Sequence, residues 1–191
     1  AVDGKTGTEH AAMARARLLS WLSLRWRYGF SEWYSNTYYV EDIAPLANLA
    51  DFAGDDREVA LKAAIILDLL LYDLASQSFR GSFVSSMGRA YEKGKKGGDG
   101  DSMRSVSEFL WGYELGPERI GMDLNFTLAR TYRAPAAVLA VGRDASTVVV
   151  KASNGLDVDE LRGEGLVGQR DEQIMMQWGM EAFTNPAVIV N

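Results

Sequence analysis

Apolar residues fall at helical spacing along most of the chain. Between Ala11 and Tyr28, Leu18, Leu22 and Trp26, with Leu19 alongside, recur at spacings of three and four. Arg15, Arg17, Arg25 and Arg27 lie mostly off that stripe, and Gly29 ends the segment as a left-handed cap residue does. Ile43, Leu46, Leu49 and Phe52 predict a second helix over roughly Tyr39 to Ala53, with Pro45 in its first turn or kinking it. Asp55 and Glu58 form a capping-box signal for a third. In that third helix Val59, Ala63, Ile66, Leu70 and Leu74 mark one face, and Ile65, Leu67, Leu69 and Leu71 carry apolarity around the cylinder. Such a helix is expected to be buried on more than one face.

The second half is less regular. Ser78 to Tyr91, with its serines, arginines and glycines, predicts an ordered loop holding a short β piece. The polar, glycine-rich stretch 92–101 is the best internal boundary. Helices are expected over Ser102–Tyr113 and Gly121–Thr131, in a short piece opened by Pro135 and ending near Gly142, and from about Glu172 to Phe183. The β-branched run of Val148, Val149 and Val150 predicts a strand over Thr147–Ala152, and Val188–Val190 is a second strand or the start of another helix. Gly155 to Gly168 reads as an acidic, glycine-punctuated link. The expected fold is mainly α: antiparallel helical hairpins with a minor β element. Residues 1–10 form a flexible lead-in and 11–191 a single helical domain.

Composition narrows the chemistry. The chain has 191 residues and no cysteine, which excludes disulfides, thiol nucleophiles and Cys-type zinc sites. Its one histidine, His10, excludes a Ser-His-Asp triad and a multi-histidine metal site unless a partner supplies the rest. With 20 Lys and Arg against 26 Asp and Glu the net charge is −6, so no nucleic-acid partner is expected. The longest apolar run, Ala63 to Tyr72, is interrupted by Asp68, so no membrane span is expected. No signal peptide is read. Because the sequence starts at Ala1, it reads as a processed form or a piece of a longer protein. No pattern asks for a cofactor or a metal.

Three clusters carry candidate chemistry. Glu32, Trp33, Tyr34, Asn36, Tyr38 and Tyr39 set aromatic rings beside a carboxylate and an amide, a mixture that suits sugar stacking and directional hydrogen bonding. The alternative is that these rings are core anchors. Arg80, Arg89 and Tyr91 provide guanidinium forks for an anion, or else pair with local acids such as Glu92 and Asp73. Trp178 and Glu181 share a helical face. Asp68, set among leucines, needs a partner, and Arg80 or Arg89 is expected to supply it.

The segments Gly29–Trp33 with Ser35 and Tyr38, Leu49–Ala53, Leu67–Ala75, Ser78–Gly81, Gly88–Tyr91 and Trp178–Pro186 carry a resemblance. Together the sequence resembles a bacterial family of (α/α)-toroid proteins related to heparinase- and alginate-lyase-like enzymes. That resemblance implies a toroid-like arc whose open ends are covered by the rest of a longer chain or by another copy. It implies a polysaccharide lyase or hydrolase acting on acidic polysaccharide or oligosaccharide. In a lyase, the uronate carboxylate is neutralised by Asn36 and by Arg80 or Arg89. Tyr38, Tyr39 or Tyr91 serves as base and acid. A glycosidase would draw instead on Glu32, Glu41, Asp42 or Glu181. Met87 stands where relatives are expected to carry a histidine. The expected site is therefore Tyr38, Tyr91, Arg89 and Glu32 for catalysis, with Trp33, Asn36, Tyr39, Arg80, Trp178 and Glu181 binding substrate. The rival readings are a noncatalytic helical assembly module and a sugar-binding module without turnover.

Overall fold

The computed structural model describes residues 2–30, 34–85, 91–92, 101–113, 121, 124–153 and 155–176. These residues are mainly helical, with a small two-stranded antiparallel sheet. They divide into two compact units, one formed by residues 1–31 with 153–191, the other by 32–152.

In the first unit, helix α1 (Gly7–Tyr28) begins earlier than the apolar stripe suggested, inside the expected lead-in. The cause is a capping box: the Thr6 hydroxyl accepts from the Glu9 N–H, and the Glu9 carboxylate accepts from the Thr6 N–H. The buried face also differs. Leu22, Leu24, Arg25 and Tyr28 point inward, while Trp26 is 61% exposed. Leu24 and Tyr28 close a small core with Leu161 and Leu166. Those two residues come from a segment read as a link. It holds helix α7 (Val158–Gly163), started by a second capping box between Asp157 and Glu160. Glu164 accepts from both Arg27 (2.6 Å) and the Tyr28 hydroxyl (3.2 Å), tying α7 to α1. Helix α8 (Asp171–Met176) packs on α1.

The second unit is built on a helical hairpin of α2 (Tyr39–Phe52) and α3 (Arg57–Ser76). Pro45 lies inside α2, and the cap of α3 is Asp56 rather than Asp55, its carboxylate accepting from the Val59 N–H. Tyr39, Ile43 and Leu46 meet Ala63, Ile66, Leu67, Leu70, Leu71 and Leu74, all essentially inaccessible. A fully buried Leu or Ile contributes about 1.5–3 kcal/mol, so this seam is the main source of the unit's stability.

Strands β1 (Ser78–Phe79) and β2 (Ser82–Phe83) follow at once, in the register Ser78–Phe83 and Phe79–Ser82. The turn residues Arg80 and Gly81 both have positive φ, +50° and +81°, the mirror-image turn that matches strand twist. A Cβ on Gly81 would also lie 2.7 Å from Tyr113 Cβ.

Helix α4 (Arg104–Trp111) packs on α6 (Ala136–Arg143), and α5 (Leu124–Leu128) on α2. The α4–α6 approach is close because the Trp111 indole lies against Gly142, where no side chain fits. Helix α5 stops short of the expected Thr131 because the backbone there is held by another group, described below. The predicted strand at Thr147–Ala152 is absent. The run is not laddered, and Val149 is 87% exposed. Val188–Val190 lies outside the described residues.

Candidate functional site

The described part of the aromatic loop selected from sequence, Tyr34 to Tyr39, is a packed knot. Tyr39 has no exposed surface and stacks on Phe83 at 6.0 Å, and Tyr34 meets the same ring edge-on at 6.5 Å. The Tyr34 N–H donates to the Tyr39 hydroxyl at 2.9 Å. Burial, with the nearby Asp73 charge, raises the Tyr39 pKa far above that of an ordinary phenol, so it stays protonated. Asn36 is buried and accepts from the Thr37 hydroxyl at 3.4 Å. Tyr38, half-buried, precedes α2 and donates its N–H to Ser35 Oγ at 3.2 Å. Core anchoring is thus the structural role of Tyr39.

Arg80 stands at the exposed hairpin tip, its guanidinium over the Phe79 ring at 5.2 Å. Tyr91 is half exposed. Glu32, Trp33, Arg89, Trp178 and Glu181 lie outside the described residues. Among the described residues, none selected from sequence lines either of two cavities of the second unit, each of about 540 Å³. Asp68 also differs from expectation: its partner is the Tyr132 hydroxyl, at 2.7 Å, rather than an arginine.

That contact leads to a cleft of about 540 Å³. Phe109 and Leu110 of α4, Phe126 of α5, Tyr132 and Arg133 of the following loop, and Leu139 and Arg143 of α6 line it. The rings run in series: Phe109 stacks on Phe126 at 6.4 Å, and Phe126 tilts against Tyr132 at 6.2 Å. Both arginines are exposed at the rim. Arg133 donates to the carbonyls of Ala129 (3.0 Å) and Tyr132 (2.6 Å), and Arg143 to that of Leu110 (3.1 Å). These bonds orient each guanidinium through one terminal nitrogen. A guanidinium has five N–H donors, and among the described residues neither arginine is ion-paired to a carboxylate.

The loop that carries Tyr132 and Arg133 is held from two helices. Asp51, near the end of α2, accepts from the backbone N–H groups of Arg130, Thr131 (3.0 Å) and Tyr132 (3.0 Å). It also accepts from the Thr131 hydroxyl at 2.5 Å. Burial works against the Asp51 charge. The Thr131 hydroxyl and the three amides outweigh it and hold the carboxyl well below the usual carboxylate range. Asp68 of α3 holds the Tyr132 ring by its hydroxyl, and burial, opposed by that hydrogen bond, raises the Asp68 pKa. Burial and the Asp68 contact push the Tyr132 phenol far up. The Arg130 guanidinium sits over Phe52 at 5.4 Å.

A second groove of similar size lies on the other side of α6, between Tyr72, Phe79, Val84, Val141, Asp144, Thr147, Val148 and Val150. It is mostly apolar and contains no cation. In the first unit a shallower hollow is lined by His10, Met13, Arg17, Trp21 and Met175. Among the described residues no group of three or more His, Asp or Glu side chains stands ready for a metal ion, and no helix is long and apolar enough to cross a membrane.

Sequence reading missed Tyr132, Arg133 and Arg143. The signal that was present is the segment Ala129-Arg-Thr-Tyr-Arg-Ala-Pro135, polar and aromatic between two helices. No protein-family model matches the chain, and comparison with curated proteins and with solved structures finds no similar protein or fold.

Proposed function

We propose that this protein recognises a negatively charged carbohydrate, and that the cleft beside α6 is where it does so. One observation carries the reading: a series of three aromatic rings and two guanidinium groups, which have no carboxylate partner among the described residues, line the same cavity. A pyranose ring offers apolar C–H faces to aromatic rings, and a uronate carboxylate offers two oxygens to a guanidinium fork. The volume of about 540 Å³ falls in the range of small-molecule sites. The helical hairpin of α2 and α3 is the kind of unit from which an (α/α)-toroid is assembled, and that architecture belongs to the same proposal.

Binding is favoured over turnover at this cleft. A lyase needs a base for the proton beside the carboxylate, and Tyr132 keeps its proton in the bond to Asp68. The test is calorimetric titration with oligouronates and with their neutral methyl esters. The acid form is expected to bind about tenfold or more tightly, the worth of one charge-assisted contact. Arg133→Ala and Arg143→Ala are each expected to remove that preference. Equal affinity for the two forms, or none for either, overturns the reading. A rise in absorbance from unsaturated product in the same mixtures would replace binding by turnover.

A noncatalytic assembly role is favoured by a different observation, the exposed and unladdered valines 148–150. Sedimentation that stays monomeric across concentration would dismiss it.

A further inference from the structure

We infer that Asp51, which does not line the cleft, is the positioning residue that gives the cleft its preference for a negative charge. The inference rests on reading the cleft as an acidic-sugar site. Its basis is a chain of contacts. The Asp51 carboxylate fixes three successive backbone N–H groups, those of Arg130, Thr131 and Tyr132, and the Thr131 hydroxyl besides. The carbonyls that orient the Arg133 guanidinium belong to that stretch and the residue before it: Ala129 at 3.0 Å and Tyr132 at 2.6 Å. Holding the Arg130 amide sets the peptide plane it shares with the Ala129 carbonyl, and that carbonyl aims the guanidinium; the Tyr132 carbonyl follows directly on the last of the held amides. Pro135 closes the far end by restricting the backbone of Ala134. Asp51 lies about 80 residues from the loop in sequence.

The consequence is selective. The aromatic series has supports besides Asp51: Phe109 and Phe126 are carried by α4 and α5, and the Tyr132 ring, whose backbone N–H Asp51 also holds, has a second anchor in Asp68. Loss of Asp51 therefore loosens the charge-reading group and leaves the stacking surface in place.

The experiment compares wild type, Asp51→Ala and Thr131→Val for affinity toward an oligouronate and toward its neutral methyl ester. For Asp51→Ala the acid-to-ester affinity ratio is expected to fall about tenfold, with the ester bound within about twofold of wild type. Thr131→Val, which removes only the hydroxyl donor, is expected to lie between. An unchanged ratio in folded Asp51→Ala overturns the inference. So does an equal loss for acid and ester, which a merely structural role would give. If the wild type itself shows no acid preference, the cleft reading fails. The positioning claim is then decided without ligand, by amide hydrogen exchange at 130–132 and 15N relaxation of the Arg133 Nε–H. Faster exchange and a more mobile Nε in Asp51→Ala or Thr131→Val uphold it, and unchanged values overturn it.

Discussion

The Tyr132 hydroxyl donates to Asp68 Oδ1 at 2.7 Å, joining the loop before α6 to the middle of α3. The ring is 7% exposed and the carboxylate half-buried, so neither finds a full water shell in exchange. Tyr132→Phe keeps the packing and removes only the donor. It is expected to cost about 1–3 kcal/mol at pH 7, because it strands a charged acceptor. The cost is expected to shrink at about pH 3, below the ordinary carboxylate value of 3.8, where a carboxyl whose pKa is raised by burial is protonated. Thermal unfolding at the two pH values measures this, and an equal loss at both would contradict it.

Asp73 provides a pH dependence of definite sign. Burial lifts its carboxyl to about 6 from an ordinary value of 3.8, so the folded state binds this proton more tightly than the unfolded chain does. Its contribution to stability therefore falls as pH rises from about 4 to about 6 and is level above that. Asp73→Asn removes the buried charge. The variant is expected to be more stable than wild type by about 1–3 kcal/mol at pH 7, with the advantage gone at pH 4. Denaturant titrations across that window check it. Asp51 runs the opposite way: its depressed pKa gives stability that is present above the usual carboxylate range and lost as pH falls through the folded value.

Gly142 tests the close approach of α4 and α6. A methyl group there would overlap the Trp111 indole, which is itself 3% exposed and has no room to withdraw. Gly142→Ala is expected to destabilise by about 1–3 kcal/mol through overpacking, against the gain that alanine normally brings to a helix. Gly163, at the end of α7, has open space around it, and Gly163→Ala is expected to be neutral or to stabilise by about 0.4–1 kcal/mol. Melting temperatures of the two variants that moved together would refute the distinction.

Where the sequence carried its own periodicity, the fold was legible. Val59, Ala63, Ile66, Leu70 and Leu74 are all buried in α3, as their spacing predicts. The short β piece near Ser78 is present, turned by Arg80 and Gly81. Helix α7 was legible too, in the capping box of Asp157 and Glu160, but its glycine-rich surroundings outweighed that signal. Val148–Val150 show the limit of strand propensity: β-branched residues favour extended backbone but do not supply a partner strand.

The site was harder to read for a physical reason. In the aromatic loop, rings that suit a sugar suit a core equally well, and only the tertiary position of Phe83 decides that Tyr39 is core. The cleft is assembled from α4, α5, α6 and a loop, with its supports in α2 and α3. Asp68 was conspicuous among its leucines and Asp51 was not, and nothing in one dimension pairs either with Tyr132 or Thr131.

The reach of the Asp51 clamp also bears on the order in which the protein folds. A carboxylate joined to amides 79 to 81 positions further on cannot make its bonds while the intervening chain is still being synthesised. Closing so long a loop is costly in entropy and slow relative to forming the α2–α3 hairpin, whose contacts are nearer in sequence. The cleft is therefore a late-forming element, and its arginines take their places only after the helices that support them have met. A formed cleft in this unit reports that its non-local contacts are complete.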